Sequence, residues 1–418
     1  MVRIGVARVE ITPDWPVSMS GFASRTHRSD GVAHPLHVRA MLMDDGASQA
    51  LLLCADLLNW GPEQLPGLRR ALSERLGIAR DAILFSASHS HSGPQVTLWQ
   101  APSVGVADPR MLDLLEQRVL EVAAAATKDV EEVSISRGTG RHDLAMNRRR
   151  IVDGKYAGGP NPDGPVDREV TVLAYHRSDG SLKAVLNHYT CHPVISSEHL
   201  LSGEFTGFAM DRIEAETGAV SLYLQGCCGD INPSGLSHST IADVEREGEA
   251  FAGVLNGIRS DLEELPPAPL GVRWTTTELP FEHVPTQQEL RASVDADGVD
   301  GEWARALLTD QTRLRPSATF VAQRLDLGAE QSLLAMNGEV TVEYGLDIKA
   351  ASGGRILPVG YSNGMIGYLP RAYQLPQGGY EVDSSTRYYL LPSRFAPGIE
   401  DGITTCTRRL IDLPFLSR

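Results

Sequence analysis

The chain has 418 residues, 42% of them hydrophobic and 22% charged, a globular composition with enough apolar material for one large core or two smaller ones. Its 53 acidic residues against 38 basic ones give a formal charge of -15, which repels phosphate backbones and anionic membranes and argues against nucleic acid as a partner. No run approaches the roughly 18 apolar residues of a membrane span, the start shows no leader pattern, and five cysteines are too few and too odd for a disulfide framework. The composition therefore predicts a cytoplasmic protein without integral membrane association.

The opening MVRIGVARVEITP passes straight into an apolar alternation. ALLLCAD at 50–56 reads as a buried strand. Leu65, Leu68, Leu72 and Leu76 follow at helical spacing, and AILFSA at 82–87 reads as a second strand; this β-α-β order favours a parallel pair. A second helix starts at Asp108-Pro109, a capping residue with proline at the first helical position. The runs VTVLAY, AVLNHY, VSLYLQ, SLLAM and ILPVGY, each bounded by Gly, Pro, Asn or Asp, predict further strands. The expected fold class is α/β, with mixed β-sheets flanked by α-helices. Between about 262 and 330 a proline-rich connector, LEELPPAPLG, leads into a polar and helical stretch from Gln287 to Gln323, read as an insertion or lid on a single domain spanning 1–418. The apolar ITTCTRRLIDLPF near the end is expected to dock on the body.

Residues rich in lone pairs recur just after apolar strands: SHSHSGP, TCHPV, GCCGDINP, NGE and SNGMIGY. Sites in open α/β sheets form beyond the carboxyl ends of strands, so these five loops are expected to converge. His89 and His91, two residues apart, share one face of an extended segment. One binds a metal while the other binds it too or acts as acid or base; the plain alternative is that both hydrogen-bond within a turn. A catalytic zinc needs about three or four protein ligands and an open position, so a second donor is required, and Cys191-His192-Pro193 offers one. The vicinal Cys227-Cys228 lacks the spacing of zinc thiolates and reads as small buried residues behind a tight loop. There is no G-x-S-x-G elbow, P-loop or dinucleotide fingerprint, and GGPNPDG at 158–164 is a turn-rich loop.

Taken in order, ITPDWPVSMSGFASR, Ala55-Asp56-Leu57, SHSHSGP, MNRRR at 146–150, CHPV, GDINP, NGEVTVEYG and GYSNGMIGYLP resemble the neutral, non-lysosomal ceramidase family over nearly the whole chain. The resemblance implies a ceramidase-type catalytic domain with one zinc per chain at the strand C-terminal ends, held by His89, His192, Glu339 and Tyr368, with His192 preferred over His188. It assigns the family's catalytic tyrosine to Tyr380, twelve positions after Tyr368, and its active-site arginine to Arg148, and it sets His91 beside the metal. Where the family has serine in G-D-x-S-P, this chain has Asn232, which rules out a serine nucleophile there and leaves the asparagine to hold the substrate carbonyl or amide. The family's C-terminal immunoglobulin-like domain has no counterpart before Arg418.

The expected activity is zinc-dependent hydrolysis of an N-acyl (amide) bond by metal-activated water, since zinc lowers the pKa of water towards about 7. The substrate is expected to be a soluble small molecule, distinct from membrane ceramide. Tyr380 and Arg148 stabilise the developing oxyanion, His91 relays protons or orients water, and Asp56 orients a ligand histidine from behind. The rival readings are a metal-dependent esterase, lactonase or phosphoesterase, and a non-catalytic metal-containing binding protein. The sequence leaves the oligomeric state open.

Overall fold

Pattern and structure agree first at the β-α-β unit. In the computed structural model, which describes residues 2–412, Gln49–Ala55 and Ile83–Ala87 pair in parallel. They are joined by the helix Leu65–Leu76, whose Leu65, Leu68 and Leu72 are buried. Parallel pairing follows because the helical crossover returns the chain in the same direction. Asp108 caps the helix Pro109–Ala126, its side chain accepting from Arg110 N at 3.0 Å.

Among the described residues a nine-stranded mixed sheet runs, in spatial order, Val220–Gln225, Leu182–Tyr189, Glu169–His176, Glu131–Arg141, Val2–Glu10, His37–Asp44, Gln49–Ala55 and Ile83–Ala87, with Glu263–Glu264 beside Glu131–Arg141. Its interior is antiparallel, and each end is a parallel pair. The helices Leu65–Leu76 and Pro109–Ala126 bury their apolar faces in one core, together with the middle strands; Glu204–Thr217 and Ile241–Arg259 do so in another.

A separate four-stranded sheet has the order Pro267–Pro280, Ser317–Ala329, Ser332–Met336 and Ile356–Val359, with the amphipathic helix Ile399–Ile411 packed on it through Ile399, Ile403, Cys406 and Leu410. That helix carries most of the tail expected to dock; residues 413–415 of the tail lie outside the described part. This second sheet runs through much of 262–330, where the expected helical stretch is only partly helical. Much of the proline-rich connector belongs to the long strand Pro267–Pro280, and the expected helical stretch splits into Gln287–Ser293, Val299–Thr309 and the strand Ser317–Ala329. The alternation of Pro267–Pro280 was masked because few of its residues are fully buried, so polar side chains occupy both faces.

The two ends of the large sheet approach one another. Gln225, at the carboxyl end of Val220–Gln225, donates through Nε2 to Ser88 O at 3.1 Å and to Cys191 O at 2.8 Å. The second sheet joins the same point through Gly360 N to Gln225 O at 3.0 Å and Ala87 N to Tyr361 O at 3.2 Å. Tyr361 N also donates to Gly338 O, just past Ser332–Met336, at 3.2 Å, so five strand ends from two sheets meet. No helix among the described residues is long and apolar enough to cross a membrane.

Candidate active site

All five strand-end loops contribute to the meeting point. His89 follows Ile83–Ala87, with a φ of 67°, a left-handed conformation that costs a non-glycine residue energy and is characteristic of functional loops. Its Nδ1 lies 2.8 Å from Leu58 O. His192 follows Leu182–Tyr189 and sets Nδ1 2.6 Å from Cys228 O and 3.0 Å from Ile231 O. Carbonyl oxygens only accept, so both rings carry their hydrogen on Nδ1 and present a lone pair at Nε2. Both Nε2 atoms lie 3.3 Å from Glu339 Oε2.

Two imidazole lone pairs and a carboxylate oxygen, all on buried residues, therefore converge on one point. Burial pushes the His192 pKa down to about 4, so this ring stays neutral at ordinary pH, and its Nε2 has no hydrogen-bond donor. Burial opposes ionisation of Glu339 as well, and positive charge among the atoms facing it is what holds its carboxyl well below the usual range. Such a donor set is repulsive by itself and fits a divalent cation of the first transition row.

His91 Nε2 lies 3.3 Å from His89 Nε2, and the three histidines offer ligand atoms within 4.8 Å of one another. Burial lowers the His91 pKa well below its ordinary value. Backbone fits closely around this ring: a Cβ at Gly21, whose φ is 97°, would fall 2.5 Å from His91 Nδ1. Only glycine suits both the conformation and the approach.

Glu339 and Tyr368 are Cα partners in a short parallel ladder, Glu339–Val340 with Tyr368–Leu369. The Tyr368 hydroxyl lies 3.1 Å from Arg148 Nη2. The antiparallel ladder of Ala145–Asn147 with Ile231–Pro233 sets Arg148 beside Asn232, and Arg148 Nη1 donates to Asn232 Oδ1 at 3.0 Å. Asn232 thus spends its carbonyl on the arginine, and its Nδ2 reaches Ser237 Oγ at 3.1 Å. The Tyr380 ring stands edge-on to Tyr368 at 5.3 Å and 5.5 Å from the Arg148 guanidinium. Arg148, Asn232 and Tyr380 line a pocket of about 570 Å³ with Met146, Tyr156 and His238. Gly159 and Pro160 from the turn-rich loop form part of its wall.

Two expectations are resolved around His89 and His192. Asp56 does not orient one: its Oδ2 accepts from His37 N at 2.9 Å and Arg39 Nη1 at 3.2 Å, while His89 is oriented by the Leu58 carbonyl. The strand ends at Ala55, so the carboxylate turns back on its neighbour His37–Asp44. His188, inside a strand, points to Pro358 O at 2.8 Å and stays out of the cluster. The five cysteines are buried and unpaired, and burial raises the Cys228 thiol far above its ordinary pKa.

Sequence patterns gave no sign of several supporting groups. The Tyr389 hydroxyl donates to Glu339 Oε1, and the Tyr361 hydroxyl lies 3.5 Å from Glu339 Oε2. Gln225 bridges both histidine loops. Glu381 pairs with Arg148 at 2.8 Å and Arg149 at 2.6 Å. Asp230 Oδ1 accepts from Val342 N at 2.8 Å, which ties the GDINP loop to the helix start just after Glu339. Their one visible signal is proximity in sequence to a motif residue.

Glu204, at the start of Glu204–Thr217, is wholly buried and joins the two histidine loops. Its Oε1 accepts from Ser196 N at 2.9 Å and Ser92 Oγ at 3.3 Å, its Oε2 from Ile195 N at 3.3 Å. Burial raises its pKa to about 7 in spite of these donors. A carboxyl whose folded pKa lies above the unfolded value of about 4.3 contributes stability that is full below that value and is lost as pH rises through 7. We expect the wild-type chain to lose about 3 kcal/mol relative to Glu204→Gln between pH 4.5 and 7.5. Denaturant melts of both proteins across that range check it, and parallel pH profiles would refute it.

Comparison with known proteins bears on both fold and motifs. The crystal structure of neutral ceramidase from Pseudomonas aeruginosa superposes with a TM-score of 0.76 at 19% identity, covering 98% of this chain and 73% of that one. A solved ceramidase complexed with C2 gives 0.75 at 16% identity, covering 100% and 76%. At these identities the likeness establishes the fold. The family model for neutral/alkaline non-lysosomal ceramidase, N-terminal, matches residues 2–239, a span that contains His89, His91, Arg148, His192 and Asn232, whereas Glu339, Tyr368 and Tyr380 lie beyond it. With more than half of its length matched, the chain belongs to the neutral/alkaline non-lysosomal ceramidase family of amide hydrolases.

Proposed function

We propose that the protein is a zinc-dependent hydrolase of an N-acyl bond in a small soluble molecule, with one catalytic zinc held by His89, His192, Glu339 and Tyr368. The observation that carries this reading is the convergence of His89 Nε2, His192 Nε2 and Glu339 Oε2 beside a pocket that opens on Arg148 and Tyr380. When bound, zinc supplies a positive charge for the substrate carbonyl and acidifies water.

The chain's own residues do the rest. Leu58 O, Cys228 O and Ile231 O fix the tautomers and aims of the two histidines. The Arg148 guanidinium has five N–H donors; those toward Glu381, Asn232, Gly229 and Tyr368 are engaged, and a remaining Nη1 hydrogen is available to a developing oxyanion. The Tyr380 hydroxyl is a second donor; burial raises its pKa, which keeps it protonated. His91 holds or passes a proton at Nε2, and Asn232 shapes the wall through Nδ2 and keeps the guanidinium in plane. The pocket lining combines the polar groups of Arg148, Asn232, Ser237 and His238 with apolar surface from Met146, Pro160, Pro233 and the tyrosine rings, so it suits a molecule with both an apolar part and a polar, hydrogen-bonding part. Five unpaired cysteines support a reducing, cytoplasmic setting. We retain the reading of one catalytic domain, with the helices between the long strands of the second sheet as an insertion or lid.

A second ligand set, with His91 in place of Tyr368, is favoured by the tight grouping of the three imidazoles. Zinc analysis separates the two: His89→Ala and His192→Ala are expected to lose the catalytic ion under either set, while His91→Ala loses it only under the second and Tyr368→Phe weakens it only under the first. Parallel turnover of N-acyl amides, carboxylic esters and phosphoesters tests the reaction. Turnover confined to phosphoesters would overturn the amidase reading, and tight amide binding without turnover would make the protein a binding module.

A further inference from the structure

The loops behind the catalytic histidines bring a second set of donors together at the surface. The rings of His27 and His199 stack in parallel, with centroids 3.7 Å apart and planes 6° from coplanar. His27 Nε2 lies 3.2 Å from Asp30 Oδ2, and one ligand atom from each of the three residues falls within 4.8 Å of the others. His199 Nε2 is shielded from solvent and has no hydrogen-bond partner. An unsatisfied, shielded ring nitrogen costs about 1–3 kcal/mol, and charging both stacked rings would set like charges face to face. A cation at the ring edges, reached by rotation of the exposed His27 ring out of the parallel stack, would give His199 Nε2 the partner it lacks.

The backbone holds the three residues in place. Gly31–Val32 pairs in parallel with Leu200–Leu201, and Asp30 N donates to His199 O at 2.7 Å. The same loops meet the main site through Arg25, which donates to His91 O at 2.6 Å, Ser20 O at 2.8 Å and Glu198 O at 3.1 Å. We infer that His27, His199 and Asp30 form a second binding site for a first-row divalent cation of the zinc class, on the outer side of the loops that carry His91. Two imidazoles and one carboxylate suit such an ion, with water completing its shell. The site clamps 25–30 against 198–201, so its occupancy steadies the segment that holds the His91 backbone.

This inference does not depend on the catalytic reading, because its test is a difference between proteins that share the His89 site. Full-length wild type and His27→Ala/His199→Ala, both stripped with chelator, are titrated with zinc chloride in a calorimeter. Wild type is expected to take up about one equivalent more than the double variant, the requirement of one additional site. Melting in chelator reports whether the double variant is folded. If it is not, Asp30→Asn, which keeps both rings, is titrated instead and is expected to weaken the additional site at least about tenfold. Equal uptake and equal affinity in wild type and a folded variant would overturn the proposal.

Discussion

Glu339→Gln is expected to yield a folded protein without catalytic zinc, with kcat/KM for an N-acyl amide reduced about a thousandfold or more, ~4 kcal/mol of transition-state stabilisation. The substitution is nearly isosteric, so the short ladder with Tyr368–Leu369 and the bond from Tyr389 to Oε1 can persist. An amide nitrogen in place of Oε2 points its hydrogens at the lone pairs of His89 and His192. It thereby satisfies both rings and removes the negative charge a divalent ion needs. Zinc analysis, calorimetric affinity and a thermal melt check the result; full zinc content with undiminished turnover would remove Glu339 from the site. Tyr389→Phe takes away only the hydroxyl that orients the carboxylate, and loss of such an outer partner is worth about 10–100-fold in metal affinity. The two substitutions are therefore graded, and a Tyr389→Phe loss as large as that of Glu339→Gln would mean that the tyrosine does more than orient.

How far these residues were legible in sequence depended on whether their chemistry is local. His89 stands out because a strand, a His-x-His pair and a Gly-Pro follow in immediate succession, whereas the preference for His192 over His188 came from the family resemblance. The β-α-β unit declares itself within the continuous stretch Gln49 to Ala87, and the Asp108 cap within a few residues. The division of the strands between two sheets was not legible, because register between Ser317–Ala329 and Pro267–Pro280 is decided by distant pairing and leaves no local period. Asp56 misled for a related reason: it ends a strand in a motif, but its direction is set by Arg39 on the adjacent strand. Gln225 is chemically unremarkable in VSLYLQ, and only the approach of the two sheet ends turns its amide into the bridge between both histidine loops. Glu339, Tyr368 and Tyr380 came from family resemblance alone, since isolated glutamates and tyrosines carry no spacing signal.

Arg148→Ala is expected to lower kcat about 10²–10³-fold with a much smaller change in KM, the signature of a donor that acts on charge developing in the transition state. The fold should tolerate the loss. Deleting one member of a buried ion pair costs about 3–5 kcal/mol when it strands the partner charge, but Glu381 keeps its second arginine through Arg149 Nη1. Asn232 loses its donor while retaining Ser237. Arg148→Lys makes the sharper test. A lysine preserves the charge near Tyr368 but cannot reproduce the planar fork that contacts Glu381, Asn232, Gly229 and Tyr368 together, so the kcat loss should remain mostly unrepaired. Tyr380→Phe removes the other proposed donor, and in the double variant the two losses should combine less than additively, because both groups serve one oxyanion across a ring-to-guanidinium distance of 5.5 Å. Zinc content stays unchanged in all three if these groups act on substrate alone. Wild-type kcat in the Arg148→Lys enzyme would show that net charge suffices, and strict additivity would place Arg148 and Tyr380 in separate steps.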